Sequence, residues 1–315
     1  MSEKPFISIV SPIYKAKNSI STLINRISLA VEEITDNYEI ILVEDGCPQN
    51  SWETILLESQ KNHHVKGLKL SRNFGQHAAI TAGLEVAKGD WIVVMDCDLQ
   101  DVPENIPLFF NKAIEGYDLV VGKKINRQDN IFRKIESYIF YKFIGKLTGV
   151  KVSTGIGNFG IYSRKVIDSL LLMEEEFKSF GIQVIWLGFN RIEIEINSEE
   201  RHEGKSSYTF WSKWSLALNT ISSFSNRILG FIIGFGVLIF MIALSLITIN
   251  IFSIWFNPNK LPGWSSIILS IYLSLGLIIS SIGIVGLYVG KIFSQVKYRP
   301  NFLVSEVTET SSYSK

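Results

Sequence analysis

Two rhythms of apolar residues run through the first 120 positions. Phe6 to Val10, Glu39 to Val43, Val65 to Leu70, Trp91 to Met95 and Asp118 to Val121 are short extended-type runs, the first, second and fourth stopped by turn-forming or acidic residues. Between them Ile20, Leu23, Ile24, Ile27, Val31 and Ile34 recur at helical spacing, with Asn18 or Ser19 as N-cap. A short helix from about Ser51, then Gln76 to Ala87 and Pro103 to Glu115, complete an alternation of strands and helices. That alternation predicts an α/β fold built on a mostly parallel sheet with right-handed crossovers. Further on, Lys178 to Phe189 predicts a helix and Arg191 to Ile196 an amphipathic strand.

The rhythm then changes. Ile228 to Phe256 and Leu261 to Gly290 contain no Asp, Glu, Lys or Arg, and each exceeds the roughly 20 residues that cross a bilayer. Two transmembrane helices are predicted, about 228–256 and 264–290. Their short connector makes them a hairpin, so both flanks lie on one side. Arg227, Lys291, Lys297 and Arg299 outweigh Lys260 in the loop, which places the N-terminal region and the tail in the cytoplasm. The expectation is an inner (cytoplasmic) membrane protein with two spans and both termini cytoplasmic. MSEKPF carries no signal peptide, and Cys47 and Cys97 are expected as free thiols. A formal net charge of +1 gives no nucleic-acid footprint.

Candidate chemistry concentrates in Trp91 to Asp101, WIVVMDCDLQD. In an extended chain Asp96, Asp98 and Gln100 would share a face. They form a set of hard oxygen ligands suited to Mg²⁺ or Mn²⁺ held mainly through a diphosphate. A turn cap after a buried strand is the alternative for a lone D-x-D. Pro12, Asp45 and Asp96 each follow a strand and so converge on one sheet edge, where open α/β sheets bind ligands. Neither G-x-G-x-x-G after the first strand nor a P-loop occurs, which disfavours dinucleotide enzymes and P-loop NTPases.

Membrane-facing features accompany this site. Asn130 to Thr148 sets Ile131, Ile135, Tyr138, Ile139 and Phe143 at helical spacing among Arg133, Lys134, Lys142 and Lys146. An interfacial helix and a core-packed helix with solvated lysines both remain open. Phe210, Trp211 and Trp214 lead into Leu216 to Phe224, a segment suited to the headgroup layer. Gly230, Gly234, Gly236, Gly276, Gly283, Gly286 and Gly290 admit close helix pairing within or between protomers, leaving a homo-oligomer open. The polar tail, Asn301 to Lys315, is expected to be mobile.

The segments SIVSPIY, ILVEDG, LSRNFGQHAAITAGLEVAKGD, DCDLQDVPENIP and RHEGKSSY together resemble family 2 glycosyltransferases of GT-A fold over residues 6 to 122. The resemblance to polyprenyl-phosphate glycosyltransferases, which include dolichyl-phosphate mannose synthase and bacterial undecaprenyl-phosphate sugar synthases, runs through the hairpin. It implies a catalytic domain at 1–206, an interfacial amphipathic helix at 207–227, two spans within 228–290 and a cytoplasmic tail at 291–315. It also implies inverting, metal-dependent transfer of one sugar from a nucleotide-sugar, a UDP-sugar in the first instance, to undecaprenyl phosphate or a similar lipid.

By that resemblance Pro12, Tyr14 and the Glu44-Asp45 pair hold the nucleotide, and Arg72 lies beside nucleotide and sugar. Glu44 departs from the usual aspartate, so Asp45 carries more weight. Asp96 approaches the sugar, while Asp98 and Gln100 help hold the metal. Arg133 and Ser137 contact the acceptor phosphate, with Lys123 where an arginine is common. Asn158 and Gly160 stand where relatives carry an aspartate and an arginine, which makes Asn158 a catalytic candidate with a question attached. Arg201, Lys205 and Ser206 match the R-x-x-G-x-S loop over the donor diphosphate. Three rivals remain: a processive polysaccharide synthase, although Q-x-x-R-W is missing; a non-catalytic nucleotide-sugar-binding or assembly subunit; and a transporter, for which two spans leave little room.

Overall fold

The computed structural model describes residues 5–124, 156–173, 180–197, 264–297 and 299–308, with isolated positions between 234 and 248. The chain divides into two compact units, Met1–Trp214 with Pro300–Lys315, and Ser215–Arg299. In the first, β1 (Ile7–Ile13) and β2 (Tyr38–Glu44) are buried at every position, the signature of strands covered on both faces. Helices α1 (Ile20–Glu32) and α2 (Ser51–Lys61), β3 (Val65–Leu70), α3 (Gln76–Val86) and β4 (Trp91–Val94) follow. Next come a 3₁₀ turn at Pro103–Asn105, α4 (Ile106–Ala113) and β5 (Leu119–Lys124). Then come β6 (Ile156–Ser163), α5 (Arg164–Leu171), α6 (Phe180–Trp186) and β7 (Arg191–Ile196). A last strand, β8 (Val304–Val307), completes one eight-stranded sheet of order β7-β5-β6-β4-β1-β2-β3-β8.

The sheet is mixed. β1 pairs in parallel with β2 and β4, β2 with β3, and β5 with β7. β6 is antiparallel to both β4 and β5, and β8 is antiparallel to β3. On one face α1, α2 and α4 bury Ile20, Leu23, Ile27, Ile55 and Phe109; on the other α3, α5 and α6 bury Ile80, Val166, Ile167, Phe180 and Val184. Strand order reverses across β1, whose two neighbours, β2 and β4, lead to opposite halves of the sheet. The crevice at the carboxyl ends of β1 and β4 is therefore the ligand position this topology provides. Pro12 lies within β1, opposite Val43, but pairing of β1 with β4 spans only Ile7 to Val10, so on that side the missing N–H breaks no ladder.

Two expectations are corrected and one strand is added. The tail is ordered over β8, not mobile, because its residues complete the edge of the sheet. Residues 156–163, unassigned by periodicity, form a central strand between β4 and β5. The strand carrying the aspartates ends at Val94, and Leu99 sits at φ +61°, so alternation of an extended chain does not place Asp96, Asp98 and Gln100.

The second unit contains α7 (Trp264–Val296), 33 residues and roughly 50 Å long. Within it Leu273–Gly290 is apolar enough to cross a membrane, the one such helix among the described residues. Ile278, Ile279, Ile282, Val285, Leu287 and Val289 are exposed. Most of the first predicted span, 228–256, and all of the helices predicted at 130–148 and 207–227 lie outside the described residues.

Candidate active site

The turn after β4 is built from its own acidic side chains. The Asp96 N–H donates to Asp101 Oδ2 at 2.9 Å, and the Gln100 N–H donates to Asp98 Oδ1 at 3.1 Å. These bonds wrap the chain back on itself, a turn held by local side chain to backbone pairing. Ser19 Oγ, at the start of α1, donates to the carbonyl of Cys97 and pins the turn to the loop after β1. Asp101, almost completely buried, pairs its other oxygen with Lys124 Nζ at 2.7 Å. Sequence reading missed both Asp101 and Lys124. Asp101 was legible only as a third carboxylate in the run, and Lys124 needed the register of β5.

Asp96 is the centre of the arrangement. Gln76, the first residue of α3, donates from Nε2 to Asp96 Oδ1 at 2.6 Å, and the Asn158 side chain on β6 also hydrogen-bonds this carboxylate. Burial first, then the Asp101 and Asp98 charges, push the Asp96 carboxyl well above the usual carboxylate range. Asn158 is thus beside Asp96, as its candidacy requires. Gly160 is different: a Cβ there would lie 2.5 Å from the Val120 carbonyl and 3.1 Å from the Tyr162 hydroxyl. The arginine that the resemblance puts at this position has no room.

The opposite wall comes from β2 and the loop after β3. Asp45 accepts the N–H groups of Phe74 at 2.7 Å and Gly75 at 2.9 Å, and Asn73 Nδ2 donates to the Asp45 carbonyl at 3.1 Å. Burial raises its pKa while those two N–H groups and Arg72 oppose the shift. Asp45 therefore holds the 72–75 loop in place with both carboxylate oxygens. Glu44 accepts the Cys47 N–H through Oε1, and its Oε2 is buried without a hydrogen-bond partner; burial raises its pKa too. Arg72 is exposed, its guanidinium 4.2 Å from the Phe74 ring centroid.

Tyr14 stands exposed in the loop after β1, with the Lys15 ammonium 5.2 Å from its ring centroid. Lys15 adopts φ +54° and its N–H donates to Cys47 Sγ at 3.1 Å. Left-handed backbone at Lys15 and Leu99, both non-glycine, flanks the crevice, as strained residues often do at functional sites. Cys47 and Cys97 are buried free thiols, as expected. Lys123, expected at the acceptor phosphate, lies 3.9 Å from Glu195 on β7. Arg133, Ser137, Arg201, Lys205 and Ser206 lie outside the described residues.

Among the described residues no three His, Cys, Asp or Glu side chains form a self-sufficient cation site. The Asp96 carboxylate is engaged by two amides, and Asp98 and Gln100 lie half-buried in the same turn. One carboxylate and one amide suit a hard divalent ion that keeps waters and takes most ligands from substrate phosphates. In that form the residues fit a cation.

Comparison with known proteins agrees with this geometry. The chain is 31% identical to the undecaprenyl-phosphate 4-deoxy-4-formamido-L-arabinose transferase of Aeromonas hydrophila, covering 97% of this chain and 95% of that protein. It is 30% identical to an uncharacterised glycosyltransferase of Synechocystis sp., over 96% of this chain and 95% of the other. The crystal structure of glucosyl-3-phosphoglycerate synthase from Mycobacterium tuberculosis, in complex with Mn²⁺, UDP and glucosyl-3-phosphoglycerate, superposes with a TM-score of 0.51. That match covers 69% of this chain and 78% of the other at 16% identity, and establishes a shared GT-A fold. The model of Glycosyl transferase family 2 matches residues 8–171; with full-length relatives above, the chain belongs to this family of glycosyltransferases.

Proposed function

We propose that this enzyme is a membrane-anchored, inverting glycosyltransferase that moves one sugar from a UDP-sugar to undecaprenyl phosphate or a similar polyprenyl phosphate, with Mg²⁺ or Mn²⁺ at the donor. The observation that carries the reading is the convergence of the loops after β1, β2, β3 and β4 on Asp96 and Asp98 at the switch point of the sheet. Support for the acceptor comes from the Aeromonas hydrophila relative, which is named for undecaprenyl phosphate and matches this chain nearly end to end. The exposed apolar length of α7 supports an anchor.

The chemistry asks little covalent work of the protein. A phosphate nucleophile is already ionised near neutrality, so no strong general base is needed. Departure of a nucleoside diphosphate builds negative charge, which a bound divalent cation neutralises as a Lewis acid. Asp98 and Gln100 would hold that cation on the diphosphate. Asp96, oriented by Gln76 and Asn158, would meet the sugar. Tyr14, Glu44 and Arg72 would bind the nucleotide, and Asp45 would fix the loop that carries Arg72. Of the residues outside the described set, Arg133 and Ser137 would meet the acceptor phosphate, and Arg201, Lys205 and Ser206 the donor diphosphate. The layout proposed is a catalytic domain at 1–206, an interfacial helix at 207–227 and two spans within 228–290.

The test is release of free UDP by the detergent-purified chain from a panel of UDP-sugars, with and without undecaprenyl phosphate, in Mn²⁺, Mg²⁺ or EDTA. Release that requires both lipid and cation is expected. Release independent of lipid overturns the acceptor, release unaffected by EDTA overturns the cation, and activity with GDP- or dTDP-sugars alone overturns the base.

A further inference from the structure

The chain leaves the sheet after β7 and comes back to it after α7. β8 lies antiparallel on β3 with Leu68 opposite Val307 and Lys69 opposite Glu306. Beyond the ladder, the Thr308 N–H donates to the Gly67 carbonyl and the Gly67 N–H donates to Thr308 Oγ1, both at 3.0 Å. Trp52 Nε1 donates to Glu306 Oε2 at 2.9 Å, and Phe302 is buried on the α3 face. Pairing then slips between Lys69 and Leu70: Val304 meets Leu70, and Ser305 is the extra residue of a bulge, its hydroxyl donating to the Lys69 carbonyl at 3.1 Å. A bulge turns the strand that carries it. Past the turn, the Leu303 carbonyl accepts the Ser71 N–H at 2.8 Å.

Ser71 is the first residue of the loop whose far end Asp45 holds through Phe74 and Gly75, and the next residue, Gln76, reaches Asp96. The loop is thus tied at both ends, at one end by β2 and at the other by the segment that follows the apolar helix. We propose that residues 302–308 are a positioning segment for the donor site: they fix the start of the 71–75 loop and through it the placement of Arg72 and Gln76. The proposal rests on the reading of that loop as the donor wall.

The experiment compares the full chain with one ending at Pro300, both in detergent. UDP affinity in Mn²⁺ is measured by calorimetry, amide exchange is followed over 71–76 and over 38–44, and a synthetic peptide of residues 300–309 is added to each. Truncation is expected to weaken UDP binding and to speed exchange over 71–76, each about tenfold, with 38–44 unchanged and both effects reversed by the peptide. Ser71→Pro, which deletes the one N–H while keeping β8, is expected to reproduce the loss without rescue. If the truncated chain exchanges everywhere, Ser71→Pro alone decides. UDP affinity and loop exchange within twofold of the full chain in both variants overturn the proposal. If the full chain itself binds no UDP, the donor reading fails, and the exchange data alone decide whether the segment positions the loop.

Discussion

Gly46 shows how tightly the residues of the site constrain each other. It follows Asp45 at φ +59°, and a Cβ there would lie 2.3 Å from the Asn73 nitrogen and 2.6 Å from the Arg72 carbonyl carbon. Left-handed backbone alone costs an L-residue about 1–2 kcal/mol, and displacement of the loop adds to it. Gly46→Ala is expected to destabilise the chain by about 3 kcal/mol, read as a lowered melting temperature, and to weaken UDP binding because the displaced loop carries Arg72. Asp98→Ala should act on turnover instead. Loss of a cation's charge stabilisation is worth several kcal/mol, so kcat should fall at least about a hundredfold, while loss of the Gln100 N–H bond lowers the melting temperature modestly; retained Mn²⁺-dependent turnover would refute the role given to Asp98. The D-x-D-x-Q cluster and the Glu44-Asp45 pair were legible as candidates because strand ends collect function. The task of Asp45 was not, since its partners, Phe74 and Gly75, lie 29 and 30 residues away and only tertiary packing brings them near.

At the scale of elements, α3 and α6 meet through one half-buried imidazole. The Phe180 N–H donates to His77 Nδ1 at 3.4 Å, and burial lowers the His77 pKa from 6.5 to about 4. An unfolded chain takes up a proton below about 6.5 that the folded chain refuses until about 4, so stability falls as pH drops through that window. The loss should reach about 2 kcal/mol by pH 5. His77→Gln keeps an acceptor for Phe180 and should flatten the dependence of the melting temperature between pH 7 and pH 5; an unchanged slope would place its origin elsewhere. The alternation of β1 to β5 with their helices was readable, because β1, β2, β4 and β5 carry short apolar runs and β3 alternates apolar residues with lysines. β6 was hidden by its glycines, of which Gly160 answers to packing against β5 and not to any rhythm. β8 has four residues, two of them polar, and owes its form to the open edge of β3. The AKGD part of the resemblance proved architectural: the Gly89 N–H donates to Ser8 Oγ, the Lys88 N–H to Glu39, and Arg164 to the Ala87 and Gly89 carbonyls, at the end of the sheet away from the site.

For the whole molecule, β8 sets a parity condition. It shares a sheet with β1 to β7, so residues 65–70 and 304–307 lie on the same side of any bilayer. A chain that leaves that side after Ile196 and is back by Val304 crosses an even number of times. If α7 is one crossing, a second must lie between Ile196 and Trp264, and the charge-free stretch 228–256 is the one segment there long enough. The proposed two-span layout satisfies this condition, with α7 as one crossing and 228–256 as the other. Cysteine labelling with a membrane-impermeant maleimide tests it, since Cys47 and Cys97 are buried. Lys260→Cys is expected to react in intact cells, and Ser312→Cys only after permeabilisation. Lys260→Cys that reacts only after permeabilisation would mean that neither stretch crosses, and α7 would then have to cover its apolar surface against protein.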